Sequence, residues 1–99
     1  MSELTSEEAV AVKVFKALGD PTRFRIVSML AIQEELGCGD MQGIFRLSAP
    51  ALSHHTRVLQ ESGLLAVRKE GPFHYFRLRR ELVERFVPGL LSARLADDS

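Results

Sequence analysis

Apolar residues recur at helical spacing at the start of the chain and predict a first helix over residues 6–18. Val10, Val14 and Leu18 share one stripe of that helix, and Gly19 ends the pattern. Thr5, followed three residues later by a glutamate, predicts a capping box at its start.

Two further helical patterns follow before residue 48. Asp20 is a favourable N-cap and Pro21 suits the first helical position, so a second helix is expected to run from there until the glycines at 37 and 39 break the pattern. Asp40 is expected to cap a short third helix, whose predicted buried residues are Met41, Ile44 and Phe45.

The fourth helical pattern begins at Ser48, a good N-cap residue, and tolerates Pro50 in its first turn. Gly63 is placed to end it as the residue after the C-cap. Two helices joined by a few residues, the second beginning at a serine cap, are the sequence form of a helix-turn-helix.

After Gly63 the period of the pattern changes from helix to strand. Residues 64–78 predict a hairpin with its turn at Glu70-Gly71-Pro72, and residues 80–99 predict a last helix that Pro88 interrupts. The expected fold is therefore mainly α with a small β-hairpin, a winged helix-turn-helix.

Length and composition are those of one folded domain. The chain has 99 residues, of which 45% are hydrophobic and 26% charged, so we expect a single domain over 1–99 with residues 1–5 and 95–99 frayed. The acidic, polar start does not resemble a secretory signal, and no apolar run is long enough to cross a bilayer, so a cytoplasmic protein without membrane contact is expected.

The net charge of zero hides a local excess of positive charge. Residues 46–80 carry seven arginines and lysines against two glutamates, a net charge of +5, and also contain all three histidines. A positive stretch on a neutral chain is the electrostatic footprint of a surface that faces phosphate. A solvated basic face would leave the same charge pattern.

The first and last helices carry more apolar surface than one small chain can easily cover. We therefore expect them to form the interface of a homodimer, the commonest symmetric assembly. The residues expected there are Val10, Val14, Phe15, Leu82, Phe86 and Leu90.

Two segments, "FKALGDPTRFRIVSML" and "LSAPALSHHTRVLQESGLLAVRKEGPFHYFRL", resemble the ArsR/SmtB family of bacterial transcriptional repressors over about residues 12–80. The resemblance implies a homodimer whose fourth helices enter the major groove of DNA and whose wings lie near the minor groove or backbone. It also implies release from DNA by an effector, which in many members is a metal ion.

Candidate DNA-binding residues follow from that resemblance and from the way helices read DNA. Ala49 and Ala51 stand where the family usually has glutamine and threonine, so direct base reading is expected to rest on Ser53 and His54. His55 has two open roles, DNA contact or packing. The full set is Ser48, Ala49, Pro50, Ala51, Ser53, His54, His55, Arg57, Arg68, Lys69, His74 and Arg77.

The family's thiolate metal site is not expected in this chain. Gly37 and Gly39 occupy its two ligand positions, and one cysteine between them cannot supply the converging thiolates that a soft metal needs. No metal site and no cofactor are therefore predicted, and the effector is unidentified. Cys38 is either a redox sensor or a small buried residue.

Other classes of function are less compatible with the residues. Ser53 and the two histidines are adjacent on one helix, which prevents the geometry of a nucleophile and its base, so we expect no enzyme. A winged helix used for protein association remains the alternative, although the positive stretch favours DNA. The predicted function is a sequence-specific DNA-binding transcriptional regulator, a homodimeric repressor.

Overall fold

The computed structural model describes residues 3–91, and within that range the helical order is the predicted one. The helices are α1 (Ser6–Leu18), α2 (Pro21–Ile32), α3 (Cys38–Phe45), α4 (Ala49–Glu61) and α5 (Arg80–Phe86), and the strands are β1 (Leu36–Gly37), β2 (Leu65–Glu70) and β3 (Phe73–Leu78). Pro88 and Gly89 form a turn that ends α5, as expected from the proline. The predicted fraying of residues 95–99, and of residues 1–2, lies outside the described residues.

Three of the helix starts are capped as the sequence predicts. Thr5 and Glu8 form the capping box of α1, with the Thr5 N–H donating to Glu8 Oε1 at 2.9 Å. Asp20 Oδ2 accepts from the Arg23 N–H at 3.0 Å, and Ser48 Oγ accepts from the Ala51 N–H at 3.2 Å. Each cap satisfies a backbone donor that has no partner within its helix.

The start of α3 differs from the prediction. Asp40 was expected to be its N-cap, but α3 begins at Cys38, and Asp40 lies in its first turn. The reason is that the chain enters α3 directly from β1, so Gly37 occupies the N-cap position without a side-chain hydrogen bond. Ile44, expected to be buried, is 41% exposed.

The hairpin is part of a three-stranded antiparallel sheet in the order β1-β3-β2. Strands β2 and β3 are joined by Gly71 and Pro72, and Glu70 pairs with Phe73. The sequence pattern missed β1, which is only two residues long and pairs Leu36 with Phe76. This third strand connects the hairpin of β2 and β3, which we call the wing, to the segment between α2 and α3.

The core combines the inner faces of the helices with one face of the sheet. Its fully buried side chains include Val14, Ile26, Val27, Leu30, Met41, Leu59, Leu64 and Val83. Val14 was expected at a dimer interface, and this prediction is wrong, because Val14 and Ala17 form the inner face of α1 and are covered by the chain itself. Phe15, on the outer face, is 54% exposed.

Gly63 ends α4 in the manner predicted and turns the chain into the wing. Its φ is 90°, a left-handed conformation that favours glycine, and its N–H donates to the Gln60 carbonyl at 3.0 Å. The Leu64 N–H donates to the Leu59 carbonyl at 3.0 Å, which completes a Schellman motif. A Cβ at position 63 would lie 3.1 Å from Leu82 Cδ2, so the site is also crowded.

We expect Gly63→Ala to lower the free energy of unfolding by about 1–2 kcal/mol, because alanine is strained in this conformation. Gly43→Ala is the matched control: Gly43 lies inside α3 with open space around it, so alanine there should raise the free energy of unfolding by about 0.5–1 kcal/mol. Urea denaturation of both variants checks the prediction. Equal effects of the two substitutions would contradict it.

Candidate nucleic-acid interface

Helix α4 buries one face and leaves the other open. Leu52, Thr56 and Leu59 are buried at helical spacing, and Thr56 Oγ1 donates to the Leu52 carbonyl at 2.9 Å, so the buried hydroxyl has a partner. Five of the predicted residues are exposed on the remaining surface of α4, namely Ala49, Pro50, Ser53, His54 and Arg57. The cap residue Ser48 is also exposed, whereas Ala51 is half-buried.

A groove of about 370 Å³ separates α4 from the wing. Among the described residues, three basic side chains line it: Arg57 from α4, Lys69 from β2 and His74 from β3. Lys69 and His74 are directly opposite each other in the hairpin. Within residues 3–91, no aspartate or glutamate lines the groove, so its polar walls favour an anion.

Sequence reasoning missed the two glutamines that line this groove, Gln42 of α3 and Gln60 of α4. Gln60 lies three residues after Arg57 and so shares its helix face, a spacing that could have revealed it. Gln42 comes from a different helix and carries no signal of this kind in the sequence.

Arg68 and Arg77 have different surroundings from Lys69. The Arg68 guanidinium donates to Glu35 at 2.8 and 3.1 Å and to Glu70, and it stacks over the Tyr75 ring at 4.5 Å. These hydrogen bonds lower the pKa of the Glu35 carboxyl and raise the pKa of Arg68. Arg77 lies beside Arg68 and Glu35, away from the groove. Two of the predicted phosphate contacts therefore sit next to carboxylates.

The two histidines of α4 point in different directions. His54 is exposed, whereas the His55 side chain is 16% exposed and its Nδ1 lies 3.3 Å from Arg23 Nη1 and 3.9 Å from Asp20 Oδ2. Burial lowers the pKa of His55, and the Asp20 carboxylate partly offsets this effect. Of the two roles left open for His55, the geometry favours packing against the corner between α1 and α2.

Apolar side chains remain uncovered near the two ends of the described chain. On α1, Val10 and Phe15 are 39% and 54% exposed. Leu82 and Phe86 of α5, and Leu90 after it, are half-buried. Glu7 accepts from Arg85 Nε at 3.1 Å, which links the start of α1 to α5. We refer to Val10, Phe15, Leu82, Phe86 and Leu90 together as the end-helix surface.

Cys38 is half-buried at the start of α3 and lies at the margin of the groove. Burial raises the pKa of its thiol. Within residues 3–91, no three histidine, cysteine, aspartate or glutamate side chains come together as a metal site would require. Over the same residues, no helix is both long and apolar enough to span a membrane.

Comparison with known proteins agrees with this geometry. A family described as a helix-turn-helix domain matches residues 18–68, just over half of the chain. The uncharacterized HTH-type transcriptional regulator YceK of Bacillus subtilis is 32% identical over 92 residues, which are 92% of each protein. The arsenical resistance operon repressor of Staphylococcus xylosus is 35% identical over 71 residues, 72% of this chain and 67% of that protein. The chain belongs to the ArsR family of winged helix-turn-helix transcriptional regulators.

A solved structure of similar fold is the homodimeric winged helix-turn-helix DNA-binding domain Mb0332 of Mycobacterium bovis. It is 24% identical, has a TM-score of 0.72, and the match covers 99% of this chain and 91% of that one. The likeness confirms the predicted fold. As an ArsR-family member, the present chain is a DNA-binding transcriptional regulator, with α4 and the hairpin in the positions of recognition helix and wing.

The surroundings of Cys38 predict that its thiol reacts slowly with electrophiles at neutral pH. Because its pKa is raised by burial, little thiolate is present at neutral pH, and the thiolate is the reactive form. We expect iodoacetamide to alkylate Cys38 more slowly than free cysteine at pH 7, with the rate still rising above pH 9. Mass spectrometry of the alkylated protein measures both rates, and faster reaction than free cysteine would support the redox-sensor alternative.

Proposed function

We propose that the chain is a single-domain, homodimeric repressor that acts in the cytoplasm and binds operator DNA through α4 and the wing. The observation that carries the proposal is the groove between these two elements, which has Arg57, Lys69 and His74 on its walls and no aspartate or glutamate from residues 3–91. The proposed role is binding, without catalysis, and its effector is unidentified.

Base reading is assigned to the exposed N-terminal half of α4. Ser53 and His54 carry donors and acceptors that can reach base edges, and the methyl groups of Ala49 and Ala51 can meet the methyl group of thymine. His55 is assigned a packing role, since it is turned towards Arg23. With few hydrogen-bonding side chains on α4, part of the specificity would come from DNA shape.

Phosphate binding is assigned to Arg57, Lys69 and His74. These side chains line the groove, and none of the carboxylates in the described part of the chain lines it beside them. Arg68 is assigned a structural role instead, because a guanidinium already paired with two carboxylates adds little attraction for DNA. Arg77 lies beside Glu35 and is also assigned a structural role.

Homodimerisation is assigned to the end-helix surface. Exposed apolar groups of this kind commonly mark protein contacts, and Val10, Phe15, Leu82, Phe86 and Leu90 are the proposed contacts. The homodimeric state of the similar Mycobacterium bovis domain supports the assignment. Repression is inferred from the relative in Staphylococcus xylosus, which is a repressor.

Arg57→Ala should weaken binding to all duplexes and reduce the salt dependence of binding. Each phosphate contact contributes about 0.9 to the slope of log affinity against log salt, and a homodimer loses two, so the slope should fall in magnitude by about 1.8. Fluorescence anisotropy with a labelled duplex, repeated over a range of salt concentrations, measures the slope.

The matched control is the double variant Glu35→Gln, Arg68→Gln, which removes a partnered charge pair and keeps the net charge. Its slope should stay within about 0.3 of the original value. If instead the control lost as much slope as Arg57→Ala, the assignment of phosphate contacts would be wrong. Binding that is independent of salt would favour the protein-association alternative.

Phe15→Glu should weaken the homodimer by about 100-fold, because each subunit then carries a charge into an apolar contact. Sedimentation equilibrium over a range of protein concentrations measures the dissociation constant. Ile44→Glu, at a position on α3 that is 41% exposed, is the control and should leave the dimer intact. An unchanged dimer in Phe15→Glu would show that the interface lies elsewhere.

A further inference from the structure

Arg23, in the first turn of α2, contacts two other helices with one side chain. Its Nε donates to the Ala17 carbonyl at 2.8 Å and its Nη2 to the Lys16 carbonyl at 3.4 Å, both in the last turn of α1. Its Nη1 lies 3.3 Å from His55 Nδ1 on α4. The backbone N–H of Arg23 donates to Asp20 Oδ2. Arg23 therefore joins the C-terminal end of α1 to the middle of α4.

The chemistry of this contact suits arginine in particular. The last carbonyls of a helix have no partner within it and carry partial negative charge, so a cation is favourable there. Only a planar guanidinium presents several donors in fixed directions, whereas a lysine ammonium is a single point of charge. His55 can accept from Arg23 when its Nδ1 carries no proton, so the bond needs the neutral ring.

The two helices joined in this way have different assigned roles. Helix α1 carries Val10 and Phe15 of the end-helix surface, and α4 carries the base-reading residues. In a homodimer, the angle between α1 and α4 sets how far apart the two copies of α4 lie. Operator half-sites lie about 34–36 Å apart, and a dimer fits both only if its helices have that spacing.

We propose that Arg23 is a positioning residue for operator recognition, which fixes the recognition helix relative to the dimer helix through His55. The inference rests on the proposed homodimeric, DNA-binding function. It adds a role for the "LGDPTR" segment, none of whose residues lines the groove: a connection between the interface and the DNA-facing helix.

Protonation of His55 should loosen this connection. The charged and titratable groups that face it are Asp20 from the α1–α2 connection, Arg23 from α2, and His54 of its own helix, whose ring centre is 5.3 Å away. A protonated Nδ1 would become a donor, lose its bond to Arg23 and turn towards the Asp20 carboxylate. Because burial lowers the pKa of His55, the ring is neutral at pH 7.5 and protonates at acid pH.

The test compares two probes: the duplex most enriched from a random-sequence library by the unaltered protein, and a random duplex of equal length. The measured quantity is the ratio of the two affinities. Arg23→Lys keeps the charge and loses the fork of donors, so we expect the ratio to fall at least tenfold while affinity for the random duplex stays within twofold. Arg25→Lys, on the same helix, is the matched control and should keep the ratio.

His55→Gln supplies a second test that does not depend on Arg23. The glutamine oxygen can accept from Arg23 but does not titrate in this range. In the unaltered protein the ratio should fall as the pH is lowered from 7.5 through the titration of His55, and in His55→Gln it should stay constant. Arg25→Lys is the control, in which the fall with pH should persist.

A third readout follows His55 itself by nuclear magnetic resonance. The Arg23 charge disfavours the imidazolium, so Arg23→Gln should raise the pKa of His55, whereas Arg25→Gln should leave it unchanged. A purely structural role of Arg23, without contact to His55, would not move this titration.

The outcomes separate the two levels of the proposal. If the unaltered protein selects no sequence, both the proposed function and this inference are wrong. If it selects one and Arg23→Lys keeps the full ratio, the inference alone is overturned. Should the Arg23 variants fail to fold, His55→Gln decides, and a pH dependence equal to that of the unaltered protein overturns the inference.

Discussion

The structure depends on one constraint: α4 has to be held firmly by one face while its other face stays free. Leu52 and Leu59 anchor it in the core, and Thr56 can be buried between them because its hydroxyl bonds to the preceding turn. Gly63 then reverses the chain, so that β2 begins beside the helix. The groove between helix and wing is a consequence of this anchoring and this turn.

Successive side chains of a strand point to opposite faces of the sheet, so the basic residues of the wing are divided between two faces. Lys69 and His74 face the groove, while Arg68 and Arg77 lie on the other side with Glu35. The net charge of +5 counted along residues 46–80 therefore overstates what DNA would meet. Glu35, in the segment before β1, neutralises part of this positive charge by pairing with Arg68. A charge count over residues 46–80 does not include Glu35.

Features set by local rules could be predicted from the sequence. The caps at Thr5, Asp20 and Ser48 and the turn at Gly63 depend on residues within a few positions of each other. Features set by distant residues could not. Strand β1 is too short to show a period, and both the Glu35–Arg68 pair and the Arg23–His55 contact join residues more than 30 positions apart. The exposed face of α4 was predicted because a helix repeats regularly, but which histidine faced inwards depended on the position of α2.

Methylation interference on the selected duplex tests the central claim most directly. A dimer that reads DNA through two copies of α4 predicts that methyl groups at guanine N7, in the major groove, abolish binding at two half-sites about 10–10.5 base pairs apart, or a multiple of that spacing. Interference at a single site, or none in the major groove at any position, would contradict the assignment of α4 as the recognition helix of a homodimer.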